Sequence, residues 1–211
     1  KLRNVPSERI KTEILKIVNS KWKNSIWQNY LELQLLKDWH AEDYPLLQME
    51  IKDNLLDDLF IGAPLARLIC LISDEGLLKL KFSKNQIKRC EKLRFWVMKI
   101  IKFGVENLSE DERFQLHLDL VDDLPSLILF LRENNMKDWL KRWRDHSDPL
   151  FHPCSPLDGL ILQKAFKIPP GPSIGKLMRH LAKEKAYGRL FTNQQALEVA
   201  RQWTLENYPL M

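Results

Sequence analysis

The sequence is poor in glycine and cysteine, and it has no long apolar run. Only 7 glycines and 11 prolines occur among its 211 residues. That scarcity argues against β-sandwiches and glycine-rich nucleotide-binding folds, because both need many tight turns or phosphate loops. The longest apolar stretch, residues 61–72, is interrupted by Arg67 and is shorter than the roughly 20 residues of a membrane span. We therefore expect an all-α protein with no membrane partner.

The three cysteines, Cys70, Cys90 and Cys154, lie far apart in the chain. An odd number without a C-x-x-C pair predicts neither a disulfide framework nor a zinc site, so a reducing, cytoplasmic compartment is expected. The chain begins at Lys1, and no charged segment followed by an apolar one marks a secretory signal. We expect a part of a longer protein.

Charge is distributed unevenly, although the formal net charge is only +5. Three segments are basic, 1–23 (+5), 79–102 (+8) and 137–189 (+6), and two are acidic, 32–58 (−6) and 106–123 (−6). Basic helices that stack side by side would form a surface that attracts phosphate backbones. Alternatively, the basic segments are solvated helix faces that pair with the acidic ones. Composition favours neither interpretation.

Apolar residues recur at helical spacing along most of the chain, and no strand-like alternation occurs. Three capping boxes mark helix starts. Helices are predicted at 7–22, 26–39, 45–59, 63–75, 83–103, from 109, at 127–134, 136–146, 157–166, 173–186 and from 192. Pro64 is expected in the first turn of the fourth helix and Gly76 at its end, and Gly104 is expected to end the fifth. The proline-rich stretch 147–156 is the best candidate for a domain boundary. We therefore predict three segments, 1–60, 61–147 and 148–211.

Two groups of side chains have the composition of metal sites. His146, His152 and Cys154 are residue types that bind zinc, but a structural zinc site needs four ligands and a fourth is lacking. The other group is a run of aspartates, for which solvation on a helix surface is the commoner role: Asp119, Asp122 and Asp123. A metal-dependent hydrolase is therefore a weakly supported hypothesis, and we expect no metal in this chain.

A candidate anion site lies at residues 169–176, with the sequence PPGPSIGK. It combines a turn, a capping Ser173 and Lys176 at the start of a helix, where backbone N–H groups and the helix dipole favour an anion. Lys176, Arg179 and Lys183 follow on one helical face. The alternative is an ordinary capped helix whose glycines allow close packing against another helix.

Segments near both ends of the chain resemble one known family. The tail contains IPPGPSIGKLM at 168–178 and GRLFTNQQAL at 188–197, and the start contains VPSERIKTE at 5–13. These segments resemble the PGPxIG turn, the G-x-[ilv]-x-T-x-x-x-A-L helix start and the ERI-x-x-E neck motif of the tRNA nucleotidyltransferase/poly(A) polymerase family, the class II CCA-adding enzymes. Residues 127–145 and 148–150 resemble its cyanobacterial-type branch less specifically.

The resemblance implies an elongated array of neck, body and tail helices that lacks the family's catalytic β-sheet head, whose motifs are absent from this sequence. The chain would be part of a nucleotidyltransferase and would be inactive alone. Mg²⁺ with ATP or CTP would belong to the head, and no cofactor is expected in this chain. The implied partners are tRNA or another RNA with its 3′ end and, in a homodimer, a second copy of the chain.

The resemblance also implies roles for particular residues. Glu8, Arg9 and Glu13 would carry the neck motif, with an ion pair between Arg9 and Glu13 on successive helical turns. The implied phosphate-binding residues are Arg142, Arg144, Lys176, Arg179, Lys183 and Arg189. The competing hypothesis is a helical protein-interaction scaffold with no RNA role, in which basic and acidic segments pair internally.

Overall fold

The computed structural model describes residues 5–20, 36–39, 57–131 and 133–207. These residues are mostly helical and contain no strand or sheet, so the expected all-α fold is confirmed. Within the same ranges, no helix is both long enough and apolar enough to cross a membrane.

The described helices follow one another along the chain as short and medium-length elements. They are α1 Ser7–Val18, α2 Asp57–Leu71, α3 Asp74–Lys79, α4 Lys84–Phe103, α5 Glu110–Leu120, a 3₁₀ turn Val121–Asp123, α6 Leu124–Ile128, α7 Glu133–Arg144, α8 Gly159–Phe166, α9 Pro172–Ala186 and α10 Asn193–Asn207.

The chain divides into two compact units, each assembled from two segments. The first unit comprises Lys1–Leu108 and Asp119–Leu140, and the second comprises Ser109–Leu118 and Lys141–Met211. The proline-rich stretch 147–156 belongs to the second unit. The division into segments 1–60, 61–147 and 148–211 stays a prediction.

The predicted capping boxes are confirmed. Each box consists of a Ser or Thr before the helix and a Gln or Glu three residues later. The Ser or Thr side chain accepts a hydrogen bond from the backbone N–H of the later residue, whose side chain accepts one from the backbone N–H of the Ser or Thr. The pairs are Ser83 with Gln86 before α4, Ser109 with Glu112 before α5, and Thr192 with Gln195 before α10. Gly104 ends α4, as expected, with a φ of 82° that glycine adopts without strain.

Pro64 lies inside α2 and not in its first turn, so this predicted boundary is wrong. Leu59 precedes the proline, Ala66 follows it, and both are buried. Burial of apolar surface before and after Pro64 favours one continuous helix and offsets the roughly 3 kcal/mol that an interior proline costs. The predicted helices 26–39 and 45–59 fall outside the described residues, apart from a turn at 36–39 and the first residues of α2.

Gly76 lies inside α3 and does not end the preceding helix, which is a second correction. Helix α2 ends at Leu71, and the Ser73 side chain accepts a hydrogen bond from the Gly76 N–H at 2.9 Å to begin α3. A Cβ at the buried Gly76 would overlap the carbonyl oxygen of Trp39. Close backbone approach, and not a helix-ending conformation, therefore requires glycine here.

Several other helix boundaries differ from prediction by a few residues. Helix α1 ends at Val18, so the predicted helix 7–22 is too long. The predicted helix 127–134 is wrong, because α6 spans Leu124–Ile128, residues 129–131 are not helical, and the next helix, α7, begins at Glu133. Helix α8 begins at Gly159, where the Asp158 side chain accepts a hydrogen bond from the backbone N–H of Leu160 at 2.7 Å.

Helix α9 begins at Pro172, with Gly171 and not Ser173 as its N-cap residue. Proline suits the first helical position because its ring presets φ, and the φ of 153° at Gly171 is accessible to glycine. The predicted end at Ala186 is confirmed, and Gly188 follows with a φ of 68°.

Helices α2 and α6 pack closely in the core of the first unit. Gly62 of α2 is buried, and a Cβ there would overlap the backbone of Pro125 and Ser126 in α6. The absence of a side chain at Gly62 therefore sets how closely the two helices approach.

The second unit has its own apolar core, to which α8, α9 and α10 all contribute. Its buried members are Leu157, Leu162, Ile168, Ile174, Leu177, Leu181, Leu190, Ala196 and Ala200. This core holds α9 in place and leaves the opposite face of that helix, including Lys176, exposed.

We expect Gly62→Ala to destabilise the first unit by about 1–3 kcal/mol, because the added methyl group must displace backbone and not a flexible side chain. Gly175→Ala in α9 is the matched control: a Cβ there meets no atom within 4 Å, and alanine favours a helix by about 0.5–1 kcal/mol. Urea unfolding of both variants, followed by circular dichroism, measures the difference. Equal stability of the two variants would contradict the packing at Gly62.

Candidate nucleic-acid interface

Two of the predicted neck residues, Glu8 and Glu13, pair with lysines. The Glu8 carboxylate lies 2.6 Å from the ammonium of Lys81, whose hydrogen bond lowers the pKa of Glu8 to about 2. Glu13 lies 2.9 Å from Lys16, three residues further along α1. Arg9 is exposed and forms no ion pair with Glu13, so the expected pair is wrong. The Glu13 carboxylate pairs instead with Lys16, which is three residues away, whereas Arg9 is four residues away.

Helix α1, which carries these residues, is fastened at its C-terminal end by Arg67 of α2. The guanidinium donates hydrogen bonds to the carbonyl oxygens of Val18 at 2.9 Å and Ser20 at 2.6 Å. Carbonyl groups at a helix end have no partner within the helix, so an arginine stabilises them. Arg67, the residue that interrupts the apolar stretch 61–72, therefore serves the fold.

The basic segment 79–102 uses several of its cations within the first unit. Arg89 donates to both carboxylate oxygens of Asp123, at 2.9 and 2.5 Å, and this bond raises the pKa of Arg89. Lys92 lies 3.1 Å from Asp119. Both acids belong to the acidic segment 106–123. For these cations, the interpretation of internal pairing between basic and acidic segments is the correct one.

Arg94 joins three parts of the first unit. Its guanidinium donates to the carbonyl oxygens of Ile69 at 2.5 Å and Ile72 at 2.8 Å, at the end of α2, and to Asp74 in the first turn of α3 at 3.2 Å. The arginine thus satisfies carbonyl groups that the helix leaves without partners. Sequence reasoning missed this role, because nothing local distinguishes Arg94 from the other cations of α4.

The candidate metal ligands do not converge. The rings of His146 and His152 lie 5.0 Å apart, but His152 Nε2 is hydrogen-bonded to the carbonyl of Trp143 at 2.7 Å, and Cys154 Sγ lies 3.3 Å from Lys185 Nζ. Among the described residues, no group of three or more metal-binding side chains is arranged to hold an ion. The hydrolase hypothesis gains no support.

Arg142, predicted to bind phosphate, is built into the second unit. Its guanidinium donates to both oxygens of Asp148, at 2.8 and 3.2 Å, and lies 4.5 Å from the centroid of the Phe151 ring. Burial raises the pKa of Asp148, but hydrogen bonds from Arg142 and from the backbone N–H groups of Phe151 and Leu150 outweigh it and lower the pKa below its ordinary value. The pair orders the turn that follows α7.

Lys183 and Arg189 also bind acidic side chains of the second unit. Lys183 lies 2.5 Å from Asp111. Arg189 lies 2.6 Å from Glu184 and 3.1 Å from Glu110, and the hydrogen bond to Glu184 raises the pKa of Arg189. Two of the predicted phosphate contacts on and after α9 are therefore already neutralised by carboxylates.

The remaining predicted phosphate contacts are exposed. Lys176 has no acidic partner among the residues that the structure describes. Arg179 donates to the side-chain oxygen of Gln115, a neutral amide that leaves its positive charge uncompensated. Arg144 is the last residue of α7. Among the predicted phosphate contacts, Lys176 and Arg179, three residues apart on α9, are the two whose positive charge no described carboxylate pairs with.

The glycines of the PGPSIG turn face open space. A Cβ at Gly171 or Gly175 would meet no atom within 4 Å, so the interpretation that these glycines allow helix packing is wrong. The packing glycine is instead Gly159 of α8, whose Cβ would lie 3.3 Å from side chains of Ile174 and Met178. A helical glycine costs about 0.5–1 kcal/mol relative to alanine, and the fold itself gives no reason for it at Gly175.

No family model matches the chain, and neither a curated protein nor a solved structure matches it. The family expectation therefore rests on the sequence resemblance, chiefly on the two tail motifs and the neck motif.

His117 is buried beside the pair that Arg142 forms with Asp148. It is 1% exposed, and its ring centroid lies 4.2 Å from that of Phe151. Burial and, next, the charge of Arg142 lower the pKa of His117 to about 3, while the charge of Asp148 acts in the opposite direction. The imidazole is therefore neutral in the folded protein at ordinary pH.

This lowered pKa predicts a loss of stability in acid. An unfolded histidine has a pKa of about 6.5, so between about pH 6.5 and 3 the unfolded chain binds the additional proton. The free energy of unfolding should therefore fall as the pH decreases through this window, by up to about 1.4 kcal/mol per pH unit. His117→Phe, which keeps a ring beside Phe151, should reduce that slope. Urea unfolding at several pH values measures it, and identical slopes would contradict the assignment.

Proposed function

We propose that this chain is the RNA-binding helical part of an enzyme of the tRNA nucleotidyltransferase/poly(A) polymerase type. In this proposal the chain holds the backbone of tRNA or another RNA and presents its 3′ end to a catalytic head that supplies Mg²⁺ and ATP or CTP. The chain itself then binds RNA and performs no chemistry. A cytoplasmic location and a homodimeric assembly stay predictions.

The observation that carries the proposal is the surface around Lys176. Lys176 and Arg179 retain uncompensated positive charge on one face of α9, next to the open Gly175. Glycine lets another backbone approach closely, and an unpaired ammonium attracts phosphate. Gly175 is the last residue of the PGPSIG motif on which the family resemblance depends, and Lys176 follows it directly. Phosphate contacts of this kind suit A-form RNA, whose deep major groove side chains cannot read.

A helical protein-interaction scaffold is the second candidate, and a specific observation favours it. Arg142, Lys183 and Arg189 are paired with acids of their own unit, as that hypothesis predicts. Asp111 is exposed, and an ion pair of this type contributes at most about 1 kcal/mol, so phosphate can still compete for Lys183. RNA binding and its salt dependence distinguish the two candidates.

Lys176→Gln should weaken tRNA binding severalfold and reduce the slope of log affinity against log salt by about 1, because one phosphate contact is lost. The single variant is sharper than one that also removes Arg179 or Lys183, since both have partners within the fold. Lys16→Gln is the control: it removes the same charge from an exposed lysine that pairs with Glu13. Titration of labelled tRNA at several salt concentrations gives both quantities.

The proposal fails if the chain does not bind tRNA, or if Lys176→Gln and Lys16→Gln change the affinity and the salt slope equally. Absence of any RNA binding would favour the scaffold hypothesis.

Gly175→Ala should separate stability from RNA binding. The substitution is expected to stabilise α9, as stated above, yet to weaken tRNA binding, because the added methyl group occupies the space through which an RNA backbone would approach. Parallel urea unfolding and tRNA titration measure the two effects. A variant that gains stability and binds tRNA as well as the wild type would show that Gly175 does not face the RNA.

A further inference from the structure

We propose that the outer face of α4 binds an unpaired RNA strand, with a base stacked on Phe95 and phosphates bound by the surrounding lysines. We define this outer face as Lys84, Lys88, Phe95, Met98, Lys99 and Lys102. The proposal rests on the proposed function in that RNA is the ligand, but it concerns a different surface, on the first unit. It also names a different class of RNA, an unpaired strand.

The spacing of these residues places them on one stripe of the helix. They recur at intervals of three, four and seven residues, which brings side chains to the same side of an α-helix. With a rise of 1.5 Å per residue, the stripe from Lys84 to Lys102 is about 27 Å long. The opposite side of α4, including Leu93 and Val97, is buried in the core.

The fold separates the cations of α4 into two sets. Arg89, Lys92 and Arg94 each bind a carboxylate of another element in the first unit. Lys84, Lys88 and Lys102 are exposed and have no acidic partner in the part of the chain that the structure describes. Glu91, the single acidic residue of the helix, lies on the same side, three residues after Lys88 and four before Phe95, and lowers the net charge of this face without pairing with Lys84, Lys88 or Lys102. The cations that the fold does not use therefore lie together on the outer face.

An aromatic ring lies in the middle of this cationic stripe. Phe95 is 57% exposed, although a solvent-facing helix position does not require an aromatic residue. Its ring packs edge to face against the ring of the buried Trp96, with 5.0 Å between the two centroids, and this contact restricts the orientation of the Phe95 ring. Lys99 Nζ lies 5.6 Å from the Phe95 centroid. A braced, exposed ring beside ammonium groups is the arrangement with which proteins stack an RNA base and bind the adjoining phosphates.

The chemistry of this face favours an unpaired strand over the other possible ligands. In an RNA duplex the bases are stacked internally, so a ring on a convex helix cannot reach a base face. A membrane-binding helix needs a continuous apolar side, whereas Phe95 and Met98 are set among four lysines. An acidic protein would satisfy the lysines but would not need a stacking ring.

The test uses the full chain with two fluorescent probes, an oligouridine of about 12 nucleotides and a blunt RNA hairpin of equal charge whose loop is a linker without bases. Phe95→Ala should weaken oligouridine binding about tenfold and leave hairpin binding and the salt slope nearly unchanged, because it removes stacking but no charge. Phe95→Trp should retain binding. Leu78→Ala is the matched control, since Leu78 of α3 is equally exposed, at 62%.

A double variant, Lys88→Gln with Lys102→Gln, should reduce the salt slope for oligouridine. The proposal is overturned if wild type does not bind oligouridine, if Phe95→Ala binds it normally, or if Phe95→Ala weakens the hairpin equally. It is also overturned if Phe95→Ala abolishes binding to phosphatidylserine vesicles or to polyglutamate while oligouridine binding persists. Lys176→Gln with tRNA reports separately on the proposed function, so the failure of either proposal is distinguishable.

Discussion

The acidic segment at residues 106–123 neutralises cations in both units and so limits which of them remain available to a ligand. In the first unit, Asp119 and Asp123 neutralise Lys92 and Arg89 and thereby tie α4 to the end of α5 and the turn after it. In the second unit, carboxylates of the same segment bind cations on and after α9. Each pair occupies a cation that could otherwise bind phosphate. The lysines that lack such a carboxylate are therefore the functional candidates.

These ion pairs differ in strength because they differ in exposure. Asp123 keeps only 12% of its side-chain surface exposed, so its bond to Arg89 is shielded from water and salt. Asp111 is 81% exposed, and its pair with Lys183 belongs to the class that contributes little to stability. A phosphate that arrives at α9 can replace Asp111 at low cost, whereas Arg89 stays committed to the fold. The ion pairs thus differ in how readily a phosphate can replace the carboxylate, and some paired cations can still bind a ligand.

Local hydrogen bonds made much of the fold predictable. The capping boxes at Ser83 and Ser109 depend on side chains three residues apart, and both are present as expected. The same kind of local rule gave the wrong helix boundaries at Pro64 and Gly76. Helix packing keeps Pro64 inside α2, and the close approach of the Trp39 carbonyl accounts for the glycine at position 76. The predicted site shows the same division: the charges were recognisable from spacing, but Asp111, which pairs with Lys183, and Glu110, which pairs with Arg189, lie more than 70 residues away in the sequence.

The sequence by itself determined that the described chain is helical, where several helices begin and which segments are basic, since each depends on residues within about four positions of one another. Only the tertiary structure decided which cations are neutralised, and that Arg67 and Arg94 serve helix ends. It also showed that Gly175 faces open space while Gly62 lies against backbone. These outcomes depend on which distant groups meet in space, and helical periodicity carries no information about that.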